Sequence, residues 1–450
     1  MRVELYIPLT LNEIARACGA RGTPSDEYVT AVCTDTREAR SKDLFIALDG
    51  EGDSGEEYVA QALHKGCYTL SRRRIGTLSV NDTAQAMLDL GEYYKSRIDP
   101  LYTVAVTGSV GKSTTVKFIT KILGAKYKVH SPIGNFNNHV GVPLTLLAAP
   151  RDTEVIVTEL GMNHKNEISR LSGCVRPDVG VITSVGTAHI GNLGSREQIA
   201  KAKLEILDGM TGGTLLLPEN EPLLSSVDNA MRVGLGSSLS EFSLYAKEYG
   251  NLIFSSPHSV IGELVFFDRR EHLLSDLAFA LSVATILGLS ESEIIKGVST
   301  INESDLRQRF IPMNGYTIFD DSYNASLESI TADLKFMRTM KRPIGAFFAD
   351  VLELGDASVG IHERIGRTAA EHGLDSLYLW GEHAEDVRRG AVLAGMDPER
   401  IFINADPDSP LTSVKHITEN HVPGELILFK ASHRLRLDKI ADLIKNTEGD

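Results

Sequence analysis

Residues 105–115 read AVTGSVGKSTT, a glycine-rich turn between a strand-like run and a segment with helical spacing. In the common phosphate-binding loop, a first glycine stands five positions before the glycine that precedes the lysine. Here that position is Val106, and Gly108 lies only three positions before Gly111. Such a turn exposes backbone N–H groups at the positive end of the following helix, where phosphate oxygens bind. The stretch therefore predicts a nucleotide loop shorter than the common one.

Strand-like and helix-like segments alternate on both sides of this loop. The strand-like run 101–106 leads into it, and the following segment places Val116, Ile119 and Leu123 on one helical face. EVIVTEL and DVGVITSV follow as strand-like runs, and a further alternating block begins near residue 315. This order is typical of an α/β fold with a parallel sheet and crossover helices. We predict three domains, with residues 1–100, 101–310 and 311–450.

Composition limits the classes of partner. The chain has 450 residues, 42% hydrophobic and 24% charged, without any run of about 20 apolar residues that could span a membrane. Sixty acidic against 46 basic residues give a net charge of −14, which argues against nucleic acid or an anionic membrane as the partner. The N-terminus lacks the pattern of a signal peptide, and the four cysteines are widely spaced. We expect a cytoplasmic protein with reduced thiols.

Polar side chains stand where the predicted strands of this block end. Glu159 closes the run VIVTEL, and His189 follows GVITSV, while Lys112 and Ser113 belong to the loop itself. Carboxylate, hydroxyl and imidazole groups beside a phosphate loop favour hard cations such as Mg²⁺. We interpret His189 as a metal-site residue rather than a general base. No Ser-His-Asp or Cys-His arrangement stands out in the sequence, so no covalent enzyme intermediate is expected.

Longer motifs follow the loop in a fixed order. TGSVGKST (107–114) precedes GNFNNHVGVPLTL (134–146) and ELGMNHKNEI (159–168), and the series continues with PDVGVITSVGTAHIGNLGSREQIAKAKLEI, DDSYNAS, ADVLELG and LFKASHRLRLD. In this order the chain resembles the Mur ligases over nearly its whole length. The short nucleotide loop then looks like the form that this family uses.

The resemblance implies roles for residues of the central domain. The residues expected to hold the ATP phosphates are Gly108, Ser109, Gly111, Lys112, Ser113 and Thr114, with Asn138 on the ATP side. Two Mg²⁺ ions are expected, one held by Ser113 and Glu159 and the other with the help of His189. Lys203 matches the lysine that related ligases carry as a carbamate, an anionic oxygen ligand for a metal. Lys112, His189, Lys203 and Arg309 are the expected catalytic residues.

The outer domains are expected to hold the remaining groups. The residues matching those that close over the nucleotide are Arg309, Asp321, Tyr323 and Asn324. Those matching the nucleotide-sugar side are Thr34, Asp35, Thr36, Arg37, Asp49 and Gly50. Those on the side of the incoming dipeptide are Asp350, Glu353, Lys430 and Ser432.

The activity implied by the resemblance is ATP-dependent amide-bond formation through an acyl phosphate. The expected small-molecule substrates are UDP-N-acetylmuramoyl-tripeptide and D-alanyl-D-alanine, in peptidoglycan synthesis by a monomeric enzyme. Linkers near residues 100 and 310 would let the outer domains close and exclude water from the reactive intermediate.

Several positions depart from the family pattern. Ser54 and Glu56 replace an aspartate and a histidine, Leu273 and Asp276 stand where asparagines are usual, and Leu327 replaces a proline. These departures leave open a ligase of the same architecture that acts on another carboxylate, such as a folate or a different peptide precursor. A non-ligating P-loop protein is a further alternative, which requires Glu159, His189 and Lys203 to be incidental.

Overall fold

The alternating segments form three β-sheets in a computed structural model that describes residues 1–50, 52–236, 240–246, 251–404, 406 and 411–447. Contacts divide the chain into two compact units. Unit 1 contains Met1–Thr183, Lys201–Phe266 and Ser275–Ile301, and unit 2 contains Ser184–Ala200, Phe267–Leu274 and Asn302–Asp450. The α/β class is confirmed, whereas the exact three-domain boundaries stay a prediction. Within the described residues, no helix has the length and apolar character needed to cross a membrane.

The first sheet belongs to unit 1. Its strands are β1 (Arg2–Thr10), β2 (Arg21–Gly22), β3 (Tyr28–Cys33), β4 (Leu44–Ile46), β5 (Tyr68–Ser71) and β6 (Leu78–Ser79), in the order β1-β3-β4-β5-β6-β2. Its helices are α1 (Leu11–Ala17), α2 (Val59–His64) and α3 (Thr83–Ile98). Helix α3 begins because the Asp82 carboxylate accepts the N–H groups of Ala84 and Gln85. It ends at Asp99, which adopts a left-handed conformation (φ 54°).

The second sheet, also in unit 1, has nine strands in the order β15-β14-β13-β12-β11-β10-β7-β9-β8. They are β7 (Tyr102–Thr107), β8 (Val129–His130), β9 (Val155–Glu159), β10 (Val179–Ile182), β11 (Thr214–Pro218), β12 (Ala230–Leu235), β13 (Phe242–Ala246), β14 (Leu252–Ser255) and β15 (Val260–Leu264). The helices along this part of the chain are α4 (Lys112–Leu123), α5 (Gly141–Leu147), α6 (Glu167–Val175), α7 (Ile190–Leu193), α8 (Arg196–Leu204), α9 (Glu271–Ile286) and α10 (Glu291–Val298). Strand β7 lies between β9 and β10, parallel to both, so their carboxyl ends meet at one edge.

The third sheet forms the centre of unit 2. Its strands are β16 (Arg309–Pro312), β17 (Tyr316–Asp320), β18 (Ile344–Ala349), β19 (Ser376–Trp380), β20 (Ile401–Asn404) and β21 (Glu425–Lys430). Its helices are α11 (Leu327–Thr339), α12 (Ser358–Glu371), α13 (Ala384–Leu393), α14 (Leu411–Asn420) and α15 (Leu437–Thr447). The order β16-β17-β21-β18-β19-β20 inserts the last strand beside β18, which creates a switch point between β18 and β21. Ligands of open α/β sheets bind at the carboxyl ends of strands flanking such a point.

Both faces of the third sheet are covered by apolar side chains. Leu334 of α11 and Phe348 of β18 belong to the core on one face, while Phe347 and Ile440 belong to the core on the other. Because the strands are buried on both faces, they read as continuous apolar runs rather than alternating ones. All four cysteines are buried free thiols, as expected from their spacing.

Candidate active site

The predicted nucleotide loop connects β7 to α4. Gly108 (φ 154°) and Gly111 (φ 87°) have positive φ, a region that glycine adopts without the steric penalty of a side chain. Gly111 is the N-cap of α4 and has no side chain to accept the first N–H groups of the helix. The first N–H groups of the helix lie at its positive end, the position at which helices bind anions. The Lys112 ammonium donates to Gly108 O (2.8 Å), so the cation lies over the loop.

Two oxygen ligands meet beside this loop. The Ser113 hydroxyl donates to Glu159 Oε2 at 2.5 Å, and Asn137 Nδ2 donates to Glu159 Oε1 at 2.9 Å. Glu159 ends β9 and is 5% exposed. Adjacent ligands at about 2.1 Å in an octahedral Mg²⁺ site are roughly 3 Å apart, so a shift of about half an ångström would let both oxygens bind one ion. The described residues contain no cluster of three His, Cys, Asp or Glu side chains suited to a metal, and the pair at the loop combines one carboxylate with a hydroxyl.

Lys203 lies on α8, and its side chain is buried, with 2% exposure. Burial, and secondarily the Lys112 ammonium, hold the pKa of Lys203 well below its usual range. Lysine side chains are ordinarily exposed to solvent, so the buried Lys203 is not in the environment typical of its residue type. The lowered pKa increases the fraction of neutral amine, the form that reacts with electrophiles such as CO₂.

Asp276 occupies one of the positions where the family pattern has asparagine. The Thr115 hydroxyl donates to Asp276 Oδ1 (2.9 Å), and a Cβ on Gly111 would lie 2.4 Å from the same oxygen. Burial raises the pKa of Asp276 well above its usual range, against the hydrogen bond from Thr115. Asp276 therefore packs beneath the nucleotide loop and supports the first turn of α4.

His189 lies in unit 2, and its ring nitrogen Nδ1 is 2.5 Å from Glu353 Oε2. Both residues have left-handed backbone conformations, φ 63° for His189 and φ 65° for Glu353. Conformations of this kind in residues other than glycine cluster at functional sites. The Glu328 carboxylate accepts from the backbone N–H (3.0 Å) and the hydroxyl (3.1 Å) of Thr187, two residues before His189. The predicted metal-site residue His189 therefore contacts Glu353, a residue predicted on the dipeptide side. Glu328 holds the loop before His189 through Thr187.

Lys430 lies within a buried network of unit 2 rather than on an open surface. Its ammonium is 1% exposed and contacts the carboxylates of Asp321 and Asp333, at 2.7 Å for Asp333. Gln308 Nε2 donates to the other oxygen of Asp333 at 3.0 Å. Burial raises the pKa of Asp333 to about 8, with the Lys430 charge opposing and the Asp321 charge adding to the shift. Lys430 is therefore placed to orient Asp321, and Asp333 is a network member that the sequence motifs did not indicate.

His272 faces the same network. Its pKa is lowered to about 4 by burial and then by Arg270, with Asp321 acting in the opposite direction. Among the described residues, His272 Nε2 is one of the buried polar atoms without a hydrogen-bond partner. Buried polar atoms are ordinarily hydrogen-bonded, so His272 Nε2 is a candidate for a contact with an ordered water or a bound polar group.

Other predicted residues of unit 2 lie near the carboxyl ends of its strands. Arg309 donates to Asp320 Oδ2 (2.5 Å) and keeps half of its side chain exposed. The Tyr323 ring stacks on His433, with centroids 4.7 Å apart, and the Arg307 guanidinium lies 3.7 Å from the Tyr323 centroid. These contacts form a cation–aromatic–imidazole stack. Asn324 is exposed at the start of the segment that follows β17.

Asp350 and Ser432 follow the two strands of the switch point. The Asp350 carboxylate accepts backbone N–H groups of Glu382 (2.8 Å) and His383 (3.0 Å). The Ser432 hydroxyl accepts the N–H of Leu352 (2.8 Å), and Ser432 N donates to Asp350 O (3.2 Å). Asp350 and Ser432 therefore meet at one strand edge, and their role toward the dipeptide stays a prediction.

The predicted residues of the N-terminal sheet form two separate groups, residues 34–37 and residues 49–50. Arg37 makes a two-pronged ion pair with Asp35, and this contact lowers the pKa of Asp35. The Thr36 hydroxyl donates to Gln61 (2.8 Å), and Thr34 N donates to Met1 O (2.9 Å).

Asn138, predicted on the ATP side, lies outside this sheet. Its Oδ1 caps the turn before α5 by accepting from Gly141 N (2.9 Å).

Asp49 belongs to a cleft of about 390 Å³ in unit 1. Its lining residues are Leu48, Asp49, Arg72, Asn81, Asp82, Thr83, Ala84 and His139. Asp49 accepts from Ser54 Oγ and from Arg72, each at 2.8 Å, while the neighbouring Gly50 N donates to Asp53 O. The buried Glu56 carboxylate accepts the N–H of Arg72 at 2.6 Å. The departures Ser54 and Glu56 therefore position Arg72 at the cleft, a cation that motif matching alone did not indicate.

Comparison with known proteins relates this geometry to a family. The Mur ligase middle-domain model matches residues 106–256, and the Mur ligase glutamate-ligase-domain model matches residues 306–433. The chain is 33% identical to the UDP-N-acetylmuramoyl-tripeptide--D-alanyl-D-alanine ligase of Bacillus subtilis, over 98% of this chain and 99% of the relative. The chain belongs to the Mur ligase family.

Further relatives agree with this assignment. The ligase of the same name from Synechocystis is 31% identical over 92% of each chain. MurF from Acinetobacter baumannii has a TM-score of 0.86 at 28% identity and covers 98% of this chain and all of its own. Mur ligases are ATP-dependent enzymes that form peptide bonds, so the predicted fold and enzyme class are confirmed. The non-ligating alternative is therefore wrong.

Proposed function

We propose that this Mur ligase joins D-alanyl-D-alanine to UDP-N-acetylmuramoyl-tripeptide in peptidoglycan precursor synthesis. The observation that carries the proposal is the identity of 33% to the Bacillus subtilis ligase of that name, extending over nearly the whole of both chains. The Ser113–Glu159 pair beside the nucleotide loop supports the proposal, because it would supply two oxygen ligands for a Mg²⁺ ion.

ATP would bind with its phosphates on the nucleotide loop. N–H, hydroxyl and ammonium groups of the loop would surround the phosphate oxygens. They belong to Gly108, Ser109, Gly111, Lys112, Ser113 and Thr114. Asp321, Tyr323, Asn324 and Arg309 would contact the nucleotide from the C-terminal part of the chain, with Asn138 on the ATP side. Among the described residues, His272 Nε2 is buried without a hydrogen-bond partner, which supports a polar ligand beside the network of Asp321, Asp333 and Lys430.

Two Mg²⁺ ions would offset the charge on the transferring phosphoryl group. Ser113 and Glu159 are suited to the first ion because their oxygens already converge. His189 and Lys203 are proposed for the second. Lys203 would need to add CO₂, with its neutral amine forming an N–C bond and releasing one proton to give an anionic carbamate. Its burial favours that neutral amine.

The chemistry requires activation of a carboxylate. One carboxylate oxygen of the tripeptide attacks the γ-phosphorus of ATP, the bond to the bridging oxygen breaks, and an acyl phosphate and ADP result. The amine of D-alanyl-D-alanine then attacks the acyl carbon, loses a proton, and phosphate leaves. Lys112 would stabilise the phosphoryl oxygens in the first step, and the position of its ammonium over the nucleotide loop supports this role.

The substrates would occupy opposite ends of the chain. The cleft around Asp49 and Arg72 is proposed for the nucleotide-sugar, because Arg72 contributes a guanidinium to its lining. Thr34, Asp35, Thr36, Arg37 and Gly50 are the further residues proposed for this substrate. Asp350, Glu353 and Ser432 are proposed for the dipeptide, with Lys430 orienting Asp321. We further propose domains with boundaries near 100 and 310, a monomeric enzyme and a cytoplasmic location.

Phosphate release from the purified chain tests the proposal. ATP, Mg²⁺ and D-alanyl-D-alanine are supplied with and without UDP-N-acetylmuramoyl-tripeptide, and the product is identified by mass. Release that requires both substrates, with the pentapeptide product, is expected. A chain that turns over ATP only with another carboxylate, such as a folate or a different peptide precursor, would refute this substrate while keeping the ligase chemistry.

A further inference from the structure

Three side chains of unit 2 form a serine–histidine–aspartate arrangement that sequence spacing did not indicate. Ser358 Oγ lies 2.8 Å from His383 Nε2, and His383 Nδ1 lies 2.8 Å from Asp386 Oδ2. Ser358 begins α12, while His383 and Asp386 lie at the start of α13, following β19. No such arrangement stood out in the sequence, because a 25-residue separation is bridged only by the packing of α12 against α13.

Hydrogen-bond partners fix the proton positions in this cluster. His383 Nδ1 must donate, because Asp386 offers only carboxylate oxygens. Neutral His383 therefore presents a lone pair at Nε2, and the Ser358 hydroxyl is its donor. Asp386 is itself held by Arg389, whose Nη2 lies 2.6 Å away. This is the relation of nucleophile, base and orienting carboxylate that activates a hydroxyl.

A second imidazole keeps the serine hydroxyl directed at His383. The His362 ring stacks on His383 with centroids 4.4 Å apart. His362 Nδ1 donates to the Ser358 carbonyl oxygen (2.8 Å), while its Nε2 accepts the N–H of Val351 (3.1 Å). Burial lowers the pKa of His362, so the stacked ring is neutral and does not add a competing positive charge. Since both His362 nitrogens are engaged, the Ser358 hydroxyl proton is directed to His383.

Solvent reaches this cluster on the helix side. The His383 side chain is 22% exposed, and Val359, which follows the serine, is 46% exposed. A Cβ placed on Gly360 would meet no atom within 4 Å, so open space lies beside the first turn of α12. That turn is the positive end of a 14-residue helix, which favours negative charge developing on a carbonyl oxygen nearby.

The Ser358 hydroxyl contacts side chains rather than the helix backbone. Ser358 is the first residue of α12, one position after the N-cap Ala357. The described partners of its hydroxyl are imidazole nitrogens, at 2.8 Å for His383 and 3.3 Å for His362. The hydroxyl is thus used for a contact that lowers the barrier to its deprotonation.

We propose that Ser358, His383 and Asp386 form a second reactive site, at which Ser358 accepts acyl groups from small activated carboxylic esters. Ser358 Oγ forms a bond to the ester carbonyl carbon as its proton moves to His383 Nε2. The C–O bond to the alcohol then breaks, and the leaving oxygen takes the proton from His383. Water, deprotonated by the same nitrogen, hydrolyses the acyl-serine. This chemistry is separate from ATP-dependent ligation and does not depend on the substrates proposed above.

The test uses the full-length chain with a fluorophosphonate probe and with p-nitrophenyl acetate, and maps adducts by peptide mass. Modification of Ser358 is expected, and S358A should lose it. H383Q should slow modification by roughly 100-fold or more, the range of general-base contributions. S290A is the control, because Ser290 is the N-cap of α10 and its hydroxyl is engaged in a capping box with Glu293 rather than with an imidazole.

Each result decides the assignment. The emission of Trp380, the single tryptophan of the chain and a residue of unit 2, verifies that each variant is folded. Folded wild-type chain that shows no adduct at Ser358, while a known serine esterase reacts in parallel, overturns the proposal. Equal labelling of H383Q and wild type would overturn the role of His383 as the base.

Discussion

Replacing Asp333 by asparagine should change how the stability of unit 2 depends on pH. Asp333 is 1% exposed and lies against Lys430 and Gln308. Its pKa is raised from 3.8 to about 8, chiefly by burial. Asparagine keeps the shape of the side chain and supplies a donor like that of the protonated carboxyl, but it cannot release a proton. The variant therefore removes this titration from the network of Asp321, Asp333 and Lys430.

The size of the effect follows from proton linkage. Between pH 5 and pH 7 the folded chain holds the Asp333 proton, whereas the unfolded chain has released it, so the folded state binds about one proton more. Raising the pH then lowers the free energy of unfolding by about 1.4 kcal/mol per pH unit, or roughly 2.7 kcal/mol over this interval. This contribution is complete below pH 3.8 and is lost as the pH rises through about 8. D333N should lack it.

Chemical denaturation followed by Trp380 fluorescence measures this difference, because the tryptophan belongs to β19 of the same unit. The quantity compared is the unfolding free energy of D333N minus that of wild type at pH 5, 6 and 7, which should become more positive as pH rises. D356N, which changes an exposed carboxylate, should run parallel to wild type. Parallel lines for D333N would refute a proton held at Asp333.

Three further outcomes are expected. S113T should keep ligase turnover, because threonine retains the hydroxyl beside Glu159. S113A should raise the Mg²⁺ concentration needed for turnover by at least the roughly 10–100-fold typical of outer-shell changes. A Mg²⁺ titration in which S113A needs the same concentration as wild type would contradict the assignment. Removing CO₂ from the buffer should lower turnover reversibly if Lys203 acts as a carbamate, and ¹³CO₂ should give a carbamate NMR signal absent in K203M; insensitivity to CO₂ would exclude it. E328A should lower the free energy of unfolding of unit 2 by about 1–3 kcal/mol, since two Thr187 donors lose their acceptor. An unfolding free energy equal to that of wild type, measured by Trp380 fluorescence, would count against this.

Local sequence was sufficient to predict the elements around the nucleotide loop. The apolar run before Gly108 is β7, and the positions of Val116, Ile119 and Leu123 lie within α4. These elements depend on periodicity and on glycine conformations, which are properties of short segments. The convergence of Ser113 with Glu159 was also predictable, because both follow the carboxyl ends of neighbouring parallel strands.

Contacts between distant segments were not predictable in this way. The motifs gave Lys430 and Asp321 separate roles, but Asp333 joins them through α11, and no pattern in the sequence marks that approach. The pairing of Ser358 with His383 depends on how two helices pack. A serine at a helix start followed later by His-x-x-Asp is too common a combination to indicate a site without that packing.

The division of unit 2 among three chain segments has a consequence for biosynthesis. Residues 184–200 leave the ribosome long before most of the sheet with which they form a unit. His189 precedes its partner Glu353 by 164 residues. At about 5–20 residues per second, that separation corresponds to roughly 10–30 s of translation. Throughout that interval the contact between His189 and Glu353 cannot form, so this part of unit 2 is completed only late in synthesis.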